Sequence, residues 1–210
     1  MYESRRFPMK LNIIERLITN NPIRALIQKR IEGPMLRKMA RSGKYPLCLE
    51  IGCGRGIGAE VIVGQFSAEK VVATDIDPEQ IERAKRNLKP KFKDRIEFKI
   101  ADAMALDEPD EKFNAIFSFG VIHHTEDWRK AIKEIARVLK KNGEFFFEEP
   151  LKAFMNNSLV SYFTAHPEGG RFNYEELEGE LLKNNIGIIN IKHLGNIAIF
   201  GVGEKLTASH

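Results

Sequence analysis

The stretch LEIGCGRGIG, residues 49–58, decides the fold of this chain. It starts as an apolar run typical of a buried strand and continues into a turn where Gly52, Gly54 and Gly56 alternate with other residues. Such glycines let the backbone approach a ligand without a Cβ clash, and the helix that follows offers unpaired N–H groups. Open α/β sheets bind nucleotides at turns of this kind. We therefore expect a nucleotide-type ligand here, with a purely structural tight turn as the alternative.

Outward from this turn, apolar strands alternate with amphipathic helices. Strands are predicted at residues 47–51, 71–74, 96–100, 113–119 and 144–147, and helices between them at residues 78–88 and 128–139. This alternation indicates βαβ units and a parallel sheet with right-handed crossovers. After a helix at residues 173–185, two strands at 186–193 and 197–202 are separated by only three residues. Because so short a link forms a hairpin, the sheet should finish with an antiparallel strand.

The N-terminal residues 1–44 differ in charge from the rest of the chain. They contain eleven Lys and Arg against three Glu, a charge of +8, whereas the remainder carries −4. Apolar spacing and the turn sequences Asn21-Pro22 and Gly33-Pro34 predict three short helices. We expect this arm to act as a lid, with five apolar residues packed near the site: Ile14, Leu17, Ile18, Leu26 and Ile27. A solvated basic face, or a tether to nucleic acid or anionic lipid, is the alternative.

The composition predicts one soluble, cytoplasmic domain at residues 45–203, followed by a tail at 204–210. The longest apolar run, residues 115–122, is far shorter than the roughly 20 residues that a membrane span needs, and residues 1–10 contain no apolar secretory segment. The spacing of Cys48 and Cys53 matches neither a redox pair nor a zinc ligand set. We therefore expect no disulfide scaffold and no metal site.

Two aspartates at strand ends have the positions expected of nucleotide ligands. Asp75 lies about 20 residues beyond the glycine turn, where a carboxylate can accept hydrogen bonds from both ribose hydroxyls. Asp102 ends the third strand, where its oxygen can accept from the exocyclic amine of adenine. A helix cap or turn is the alternative for Asp102. Asp77, followed by Pro78, is predicted to cap the next helix.

Two cofactors compete for the glycine turn. A dinucleotide motif, G-x-G-x-x-G/A, fits Gly54, Gly56 and Ala59 only if the turn begins two residues late. The alternating glycines that start at Gly52, preceded by the acid Glu50, fit an S-adenosylmethionine turn in register with the strand end. The chain also lacks the Tyr-x-x-x-Lys that short-chain dehydrogenases need. An NAD(P)-dependent oxidoreductase is thus the second hypothesis.

Four runs in this order and spacing resemble the class I S-adenosylmethionine-dependent methyltransferases: LEIGCGRGIG, VVATDIDPEQIERAKRNL, IADAMALDEPDEKFNAIFSFGVIHHTEDW and IKEIARVLKKNGEFFFEEP. The resemblance covers residues 45–150 and is greatest to the small-molecule branch that includes the ubiquinone and menaquinone biosynthesis enzymes. It implies a Rossmann-like α/β fold with helices on both faces of a seven-stranded sheet. The implied strand order is 3-2-1-4-5-7-6, with strand 7 antiparallel.

The resemblance also implies a set of residues that bind S-adenosylmethionine. Glu50 and the glycine turn, residues 52–56, would contact the methionine moiety, and a backbone carbonyl at 118–120 would receive its ammonium group. Asp75 would bind the ribose. Ile76 would face the adenine ring, and Asp102 with Ala103 would lie at its edge. The cofactor-binding residues expected on this basis are Glu50, Gly52, Cys53, Gly54, Gly56, Asp75, Ile76, Asp102, Ala103, Ser118 and Phe119.

Candidate catalytic residues follow the fourth and fifth strands. His123 or His124 could remove a proton from a methyl acceptor, because imidazole titrates near neutrality. Glu148 could hold an amine or act as a base, beside Glu149. The alternative is that one carboxylate is solvated and the other caps the following segment. A metal role fails because no third ligand is evident.

The expected reaction is in-line methyl transfer to an O, N or C atom of a small, partly apolar or aromatic acceptor. DNA and protein-amide methylases carry an Asn/Asp-Pro-Pro-Tyr/Phe group after strand four, where this chain has the sequence SFGV at residues 118–121. Nucleic acid is therefore not the expected substrate. A non-catalytic S-adenosylmethionine-binding module that contacts RNA or a partner through the basic arm is a third hypothesis.

Overall fold

The computed structural model describes residues 21–152 and 172–207. These residues form a seven-stranded sheet in the order β3-β2-β1-β4-β5-β7-β6. The strands are β1 (Tyr45–Ile51), β2 (Ala68–Asp75), β3 (Ile96–Ile100), β4 (Phe113–Phe119), β5 (Leu139–Pro150), β6 (Ile186–Leu194) and β7 (Ala198–Lys205). Strands β1 to β5 pair in parallel, and β7 is antiparallel to both β5 and β6. The predicted strand order and antiparallel last strand are confirmed.

Helices cover both faces of this sheet. In the described residues they are α1 (Pro22–Ile27), a π turn (Gln28–Glu32), α2 (Gly33–Met39), α3 (Ile57–Gln65), α4 (Pro78–Asn87), α5 (Trp128–Val138) and α6 (Tyr174–Lys183). The predicted cap of α4 is confirmed, since the Asp77 carboxylate accepts the Glu79 N–H at 3.0 Å. Within the described ranges, no helix combines the length and apolar character that crossing a membrane requires.

Alternation along β5 divides the core into two clusters. Phe146 points to one face, where its ring stacks on Phe117 with centroids 4.6 Å apart. Phe145 and Phe147 point to the other face and pack with Trp128 of α5. The helices on each face therefore bury one cluster each, and the carboxyl ends of the parallel strands are left to form a site.

Strand β5 is longer than the sequence predicts. Residues 140–143, predicted to lie between the helix at 128–139 and the strand at 144–147, belong to the strand, and α5 ends at Val138. The reason is tertiary pairing: Leu139 is fully buried opposite Phe113, and an irregular register follows before Ala115 pairs with Glu144. Strand β7 likewise continues to Lys205, two residues past the expected domain end, where Lys205 pairs with Ile186.

The described part of the N-terminal arm is a structural layer on the α3 face. Helices α1 and α2 are continuous through the π turn, although Gly33-Pro34 was expected to separate them. Pro34 has no N–H to donate, and the Lys29 carbonyl accepts instead from Gln65 Nε2 at 2.8 Å. Leu36 is fully buried in the core.

The expectation for the arm's apolar residues needs correction. Leu26 and Ile27 are 57% and 36% exposed, because Arg24 and Gln28 occupy the inward side of this helix. The other three apolar residues that were expected to pack near the site, Ile14, Leu17 and Ile18, lie outside the described residues.

Candidate active site

The three glycines of the turn have positive φ but different surroundings. The φ angles are +64° at Gly52, +51° at Gly54 and +84° at Gly56. A Cβ added to Gly52 would lie 2.5 Å from the Val121 methyls, and one on Gly56 would lie 3.1 Å from the Phe98 ring. A Cβ on Gly54 would meet no atom of the described residues within 4 Å. Packing therefore requires glycine at 52 and 56, whereas Gly54 faces open space.

Asp75 connects the glycine turn to the end of β2. One carboxylate oxygen accepts the Gly54 N–H at 2.9 Å, and the other accepts the Asp77 N–H at 2.9 Å. The Cys53 N–H donates to the Thr74 carbonyl at 2.8 Å, which adds a second link between the two strands. Asp75 and the following Ile76 are half-buried. The carboxylate is thus fixed beside Gly54, where a bound ribose could still reach it.

Glu50 is a buried carboxylate with one unpartnered oxygen. Its side chain lies at the carboxyl end of β1, and the residue is only 2% exposed. The Ala59 N–H donates to the carboxylate, but Oε2 has no hydrogen-bond partner among the described residues. Burial, with the nearby charge of Asp75, raises the pKa of Glu50 to about 8. A ligand cation at this oxygen would repay the cost of burying it.

The chemistry of this region fits S-adenosylmethionine. The cofactor carries an ammonium and a sulfonium, so an unpartnered carboxylate oxygen on the strand that runs into the glycine turn is a suitable environment. Cys53 is buried, and this burial, together with the nearby charge of Glu50, raises the pKa of its thiol well above the ordinary value. The Cys53 side chain therefore stays a neutral thiol, and its backbone is the part that belongs to the turn.

Asp102 forms a local turn after β3. Its Oδ1 accepts the Met104 N–H at 2.8 Å, and its carbonyl accepts the Ala105 N–H at 3.0 Å. The turn role, considered above as the alternative, is therefore present. Asp102 and Ala103 are half-buried at the same sheet edge as Asp75, because β2 and β3 pair in parallel. The adenine contact stays a prediction.

The side chains at the end of β4 are turned into the protein. Ser118 is fully buried, and its hydroxyl donates to Glu149 Oε1 at 2.8 Å. The Phe119 ring stacks on Phe117 at 6.1 Å between centroids. The Gly120 N–H donates to the Glu148 carbonyl at 2.7 Å. A cofactor could therefore contact this segment mainly through the backbone, as the resemblance implies.

Glu149 organises the loop that carries the two histidines. It is fully buried, and its Oε1 accepts the N–H groups of Val121 at 3.1 Å and Ile122 at 3.0 Å. Its Oε2 lies 2.7 Å from Nδ1 of His123. Burial raises the pKa of Glu149, and the hydrogen-bond donors around it oppose that rise. The ring of His124 lies 4.0 Å from that of His123, between centroids.

Sequence reasoning missed this role of Glu149. The alternative in which one carboxylate is solvated and the other caps the following segment is wrong, because Glu149 binds the loop after β4 and Glu148 is also enclosed. The alternation of β5 was an available signal. It places Glu149 on the same face as Phe145 and Phe147, which is an interior position.

Glu148 faces the N-terminal helix on the other side of β5. Its Oε2 lies 2.9 Å from Nη2 of Arg24, whose Nη1 pairs with Glu32. Burial raises the pKa of Glu148 to about 8, the charge of Glu32 adds to the rise, and Arg24 opposes it. A Cβ on Gly120 would lie 3.7 Å from Glu148 Oε2 and 3.8 Å from Cε1 of His123. Glu148 and His123 therefore both lie near Gly120.

Comparison with known proteins agrees with this arrangement. Residues 49–147 match the family described as a methyltransferase domain. The chain is 33% identical over 147 residues to ubiquinone biosynthesis O-methyltransferase of Pelagibacter ubique, covering 69% of this chain and 58% of that protein. It is 38% identical over 98 residues to 27-O-demethylrifamycin SV methyltransferase of Amycolatopsis mediterranei, covering 45% of this chain and 35% of that protein.

The fold has solved counterparts. The crystal structure of YcgJ from Bacillus subtilis superposes with a TM-score of 0.69 at 19% identity, covering 84% of this chain and 98% of that chain. The chain spans about a third of the length of the rifamycin relative and somewhat more than half of the ubiquinone relative. The matched residues and the relatives show that this chain contains a methyltransferase domain, and the sheet order and the solved counterpart show that the domain has the class I fold of the S-adenosylmethionine-dependent methyltransferases.

Proposed function

We propose that the chain transfers a methyl group from S-adenosylmethionine to a hydroxyl oxygen of a small acceptor. The buried pair of Glu149 and His123, with 2.7 Å between Oε2 and Nδ1, is the observation that carries this proposal. When Nδ1 donates to the carboxylate, the neutral imidazole has its lone pair on Nε2 and can accept a proton there. A hydroxyl is a weak nucleophile until its proton is removed, so an oriented imidazole suits such an acceptor.

The cofactor would lie across the carboxyl ends of β1, β2 and β4. In this proposal Glu50 receives the ammonium group, the glycine turn follows the methionine chain, and Asp75 binds the ribose hydroxyls. Ile76, Asp102 and Ala103 enclose the adenine, and the backbone at Ser118 and Phe119 completes the methionine end. When bound, the cofactor supplies the methyl group and a neutral thioether leaving group.

The protein's own contribution is orientation, exclusion of water and removal of one proton. His123 takes the hydroxyl proton as the new C–O bond forms and the C–S bond breaks. Holding two reactants in attack geometry can lower a barrier by roughly 7 to 11 kcal/mol. Glu148 is engaged by Arg24 at 2.9 Å, which supports an orienting role for it rather than that of a base. His124 would form part of the wall beside His123.

The names of two relatives support oxygen as the accepting atom, since both describe methylation of oxygen. A neutral amine acceptor would not need the histidine in the same way, because its nitrogen is nucleophilic without first losing a proton. We assign the acceptor to small phenols or alcohols with an apolar body. Phe172 and Tyr174, two aromatic residues after Pro150, pack in the second core cluster.

The test combines a binding and a transfer measurement. Titration calorimetry should detect binding of S-adenosylhomocysteine and no binding of NADH. Incubation with methyl-tritiated S-adenosylmethionine and a panel of phenols, alcohols and amines should then label a hydroxyl compound. Labelling of amines alone would refute the choice of oxygen. Binding of S-adenosylhomocysteine without any transfer, to this panel or to a small-molecule cell extract, would favour a non-catalytic module.

A further inference from the structure

The π turn of the N-terminal helix points polar side chains inward. The turn is closed by the Gly33 N–H, which donates to the Gln28 carbonyl five residues earlier. Turns of this type are rare and often occur at functional sites. Two polar residues of the turn are buried, Gln28 at 9% and Glu32 at 5% exposure. Glu32 pairs with Arg24 on the acceptor side, which leaves the purpose of the buried Gln28 to be explained.

Gln28 approaches Glu50 at the first turn of α3. A Cβ placed on Gly58 would lie 1.8 Å from Glu50 Oε1 and 2.9 Å from Gln28 Nε2. Glu50 Oε1 and Gln28 Nε2 therefore both lie against Gly58, and a residue with a side chain at position 58 would clash with them. Glu50 Oε2, on the same carboxylate, is one of the buried oxygens without a partner in the described part of the chain. The amide of Gln28 thus lies beside the region assigned above to the methionine end of the cofactor.

We propose that Gln28 is a cofactor-binding residue whose side-chain amide donates to the methionine carboxylate of S-adenosylmethionine. This inference rests on the cofactor placement of the proposed function. The amino-acid end of the cofactor has an ammonium and a carboxylate, so it needs both an acceptor and a donor. Glu50 supplies the acceptor, and Gln28 supplies a donor without a charge that would neutralise Glu50.

The position of Gln28 is fixed by contacts that do not involve a ligand. A Cβ on Gly33 would lie 2.6 Å from both Val61 and Gln65 of α3, so glycine permits this close approach. Gln65 Nε2 donates to the Lys29 carbonyl at 2.8 Å, and Lys29 Nζ pairs with Glu60 at 3.0 Å. These contacts hold the π turn against α3. Gln28 is therefore held in place before the cofactor binds, which reduces the entropic cost of binding.

The test compares two ligands that differ at the amino-acid end. S-adenosylhomocysteine has the methionine-type carboxylate, whereas 5′-methylthioadenosine lacks the whole amino-acid portion. Gln28→Met keeps most of the side-chain volume but removes the donor. We expect this variant to weaken S-adenosylhomocysteine binding by about tenfold or more, the effect of losing a hydrogen bond to a charged group. Its affinity for 5′-methylthioadenosine should equal that of the wild-type chain, as measured by titration calorimetry.

Asn190→Ala is the matched control, because it removes a side-chain amide that contacts the same N-terminal arm at the Met39 carbonyl, the end of α2 away from the π turn. It should leave both affinities unchanged. A Gln28→Met variant that binds both ligands like the wild type, or loses affinity for both equally, would overturn the proposal. An equal loss for S-adenosylhomocysteine in Asn190→Ala would do the same. If the variant is partly unfolded, the ratio of its two affinities still decides, because the unfolded fraction lowers both apparent affinities alike. A wild-type chain that binds neither ligand would instead refute the cofactor site itself.

Discussion

The cofactor side and the acceptor side of this domain are built in different ways. On the cofactor side, Gly54 and Asp75 are 21 residues apart and are joined by a hydrogen bond of 2.9 Å from the Gly54 N–H to the Asp75 carboxylate. On the acceptor side, Arg24 and Glu148 are 124 residues apart and meet through an ion pair. The first arrangement follows from local chain geometry. The second exists only after the arm, β4 and β5 have assembled.

The buried carboxylates of the two sides also differ, in how many of their oxygens have hydrogen-bond partners. Glu149 is surrounded by donors from Ser118, Val121, Ile122 and His123. Glu50 keeps one oxygen without a partner in the described residues. A fully satisfied buried carboxylate makes its surroundings rigid, whereas an unsatisfied one is costly until a ligand arrives. We therefore expect Glu149 to position another residue and Glu50 to bind the cofactor directly.

The largest expected effect separates transfer from cofactor binding. His123→Ala should lower kcat for the hydroxyl acceptor by about 100-fold or more, because general-base catalysis typically contributes 10² to 10⁴. S-adenosylhomocysteine affinity should be unchanged, since the side chain lies on the acceptor side. His124→Ala serves as the control and should retain most of the rate. An undiminished rate in His123→Ala would remove the base from the mechanism.

The next prediction concerns two neighbouring aspartates of the cofactor side. Asp75→Ala should weaken S-adenosylhomocysteine binding by about 1.5 to 3 kcal/mol for each charge-assisted hydrogen bond lost. Asp77→Ala should instead lower the free energy of unfolding by about 1 kcal/mol, because its carboxylate caps α4. Calorimetry and denaturant unfolding on both variants distinguish the two losses. If Asp75→Ala and Asp77→Ala weakened S-adenosylhomocysteine binding equally, Asp75 would not be the residue that binds the ribose.

A pair of glycines tests whether the turn serves packing or the ligand. Gly52→Ala should lower the free energy of unfolding by about 1 to 3 kcal/mol, since its methyl would lie 2.5 Å from Val121. Gly54→Ala meets open space, so it should cost only the left-handed backbone penalty of about 1 kcal/mol. Its new methyl should nevertheless weaken S-adenosylhomocysteine binding. Unaffected binding in Gly54→Ala would contradict an approach of the cofactor to this residue.

The same contrast explains what the sequence could predict. The alternation of strands and helices, the hairpin and the Asp77 cap could be predicted because they depend on local signals: hydrophobic period, link length and neighbouring residues. The order of the strands was implied by the family resemblance instead. The length of β5 was underestimated because Leu139 is drawn into the strand by its pairing with Phe113. The continuous helix through Pro34 was missed because its stability depends on Gln65, a residue 36 positions away from the carbonyl it contacts.

The smallest expected effect is a pH dependence of cofactor binding. The pKa of Glu50 is about 8 in the folded protein, against an ordinary value of 4.5. Between these values the unfolded carboxyl is ionised while the folded one is protonated. The contribution of Glu50 to the free energy of unfolding is therefore present below about pH 4.5 and is lost as the pH rises to about 8. Binding an ammonium group favours the ionised form, so it should release a proton.

Affinity for S-adenosylhomocysteine should accordingly rise as the pH increases from about 6 to 8, by no more than about tenfold per pH unit. Calorimetry at pH 7 in two buffers with different ionisation enthalpies measures the proton release directly. Glu50→Gln should abolish the release, because its amide cannot ionise. Glu148→Gln is the control: that carboxyl has a similarly raised pKa but pairs with Arg24 on the acceptor side, so the release should persist. If Glu50→Gln released as many protons as the wild type while Glu148→Gln released none, the cofactor would sit nearer β5 than β1, and the division between the two sides would have to be redrawn.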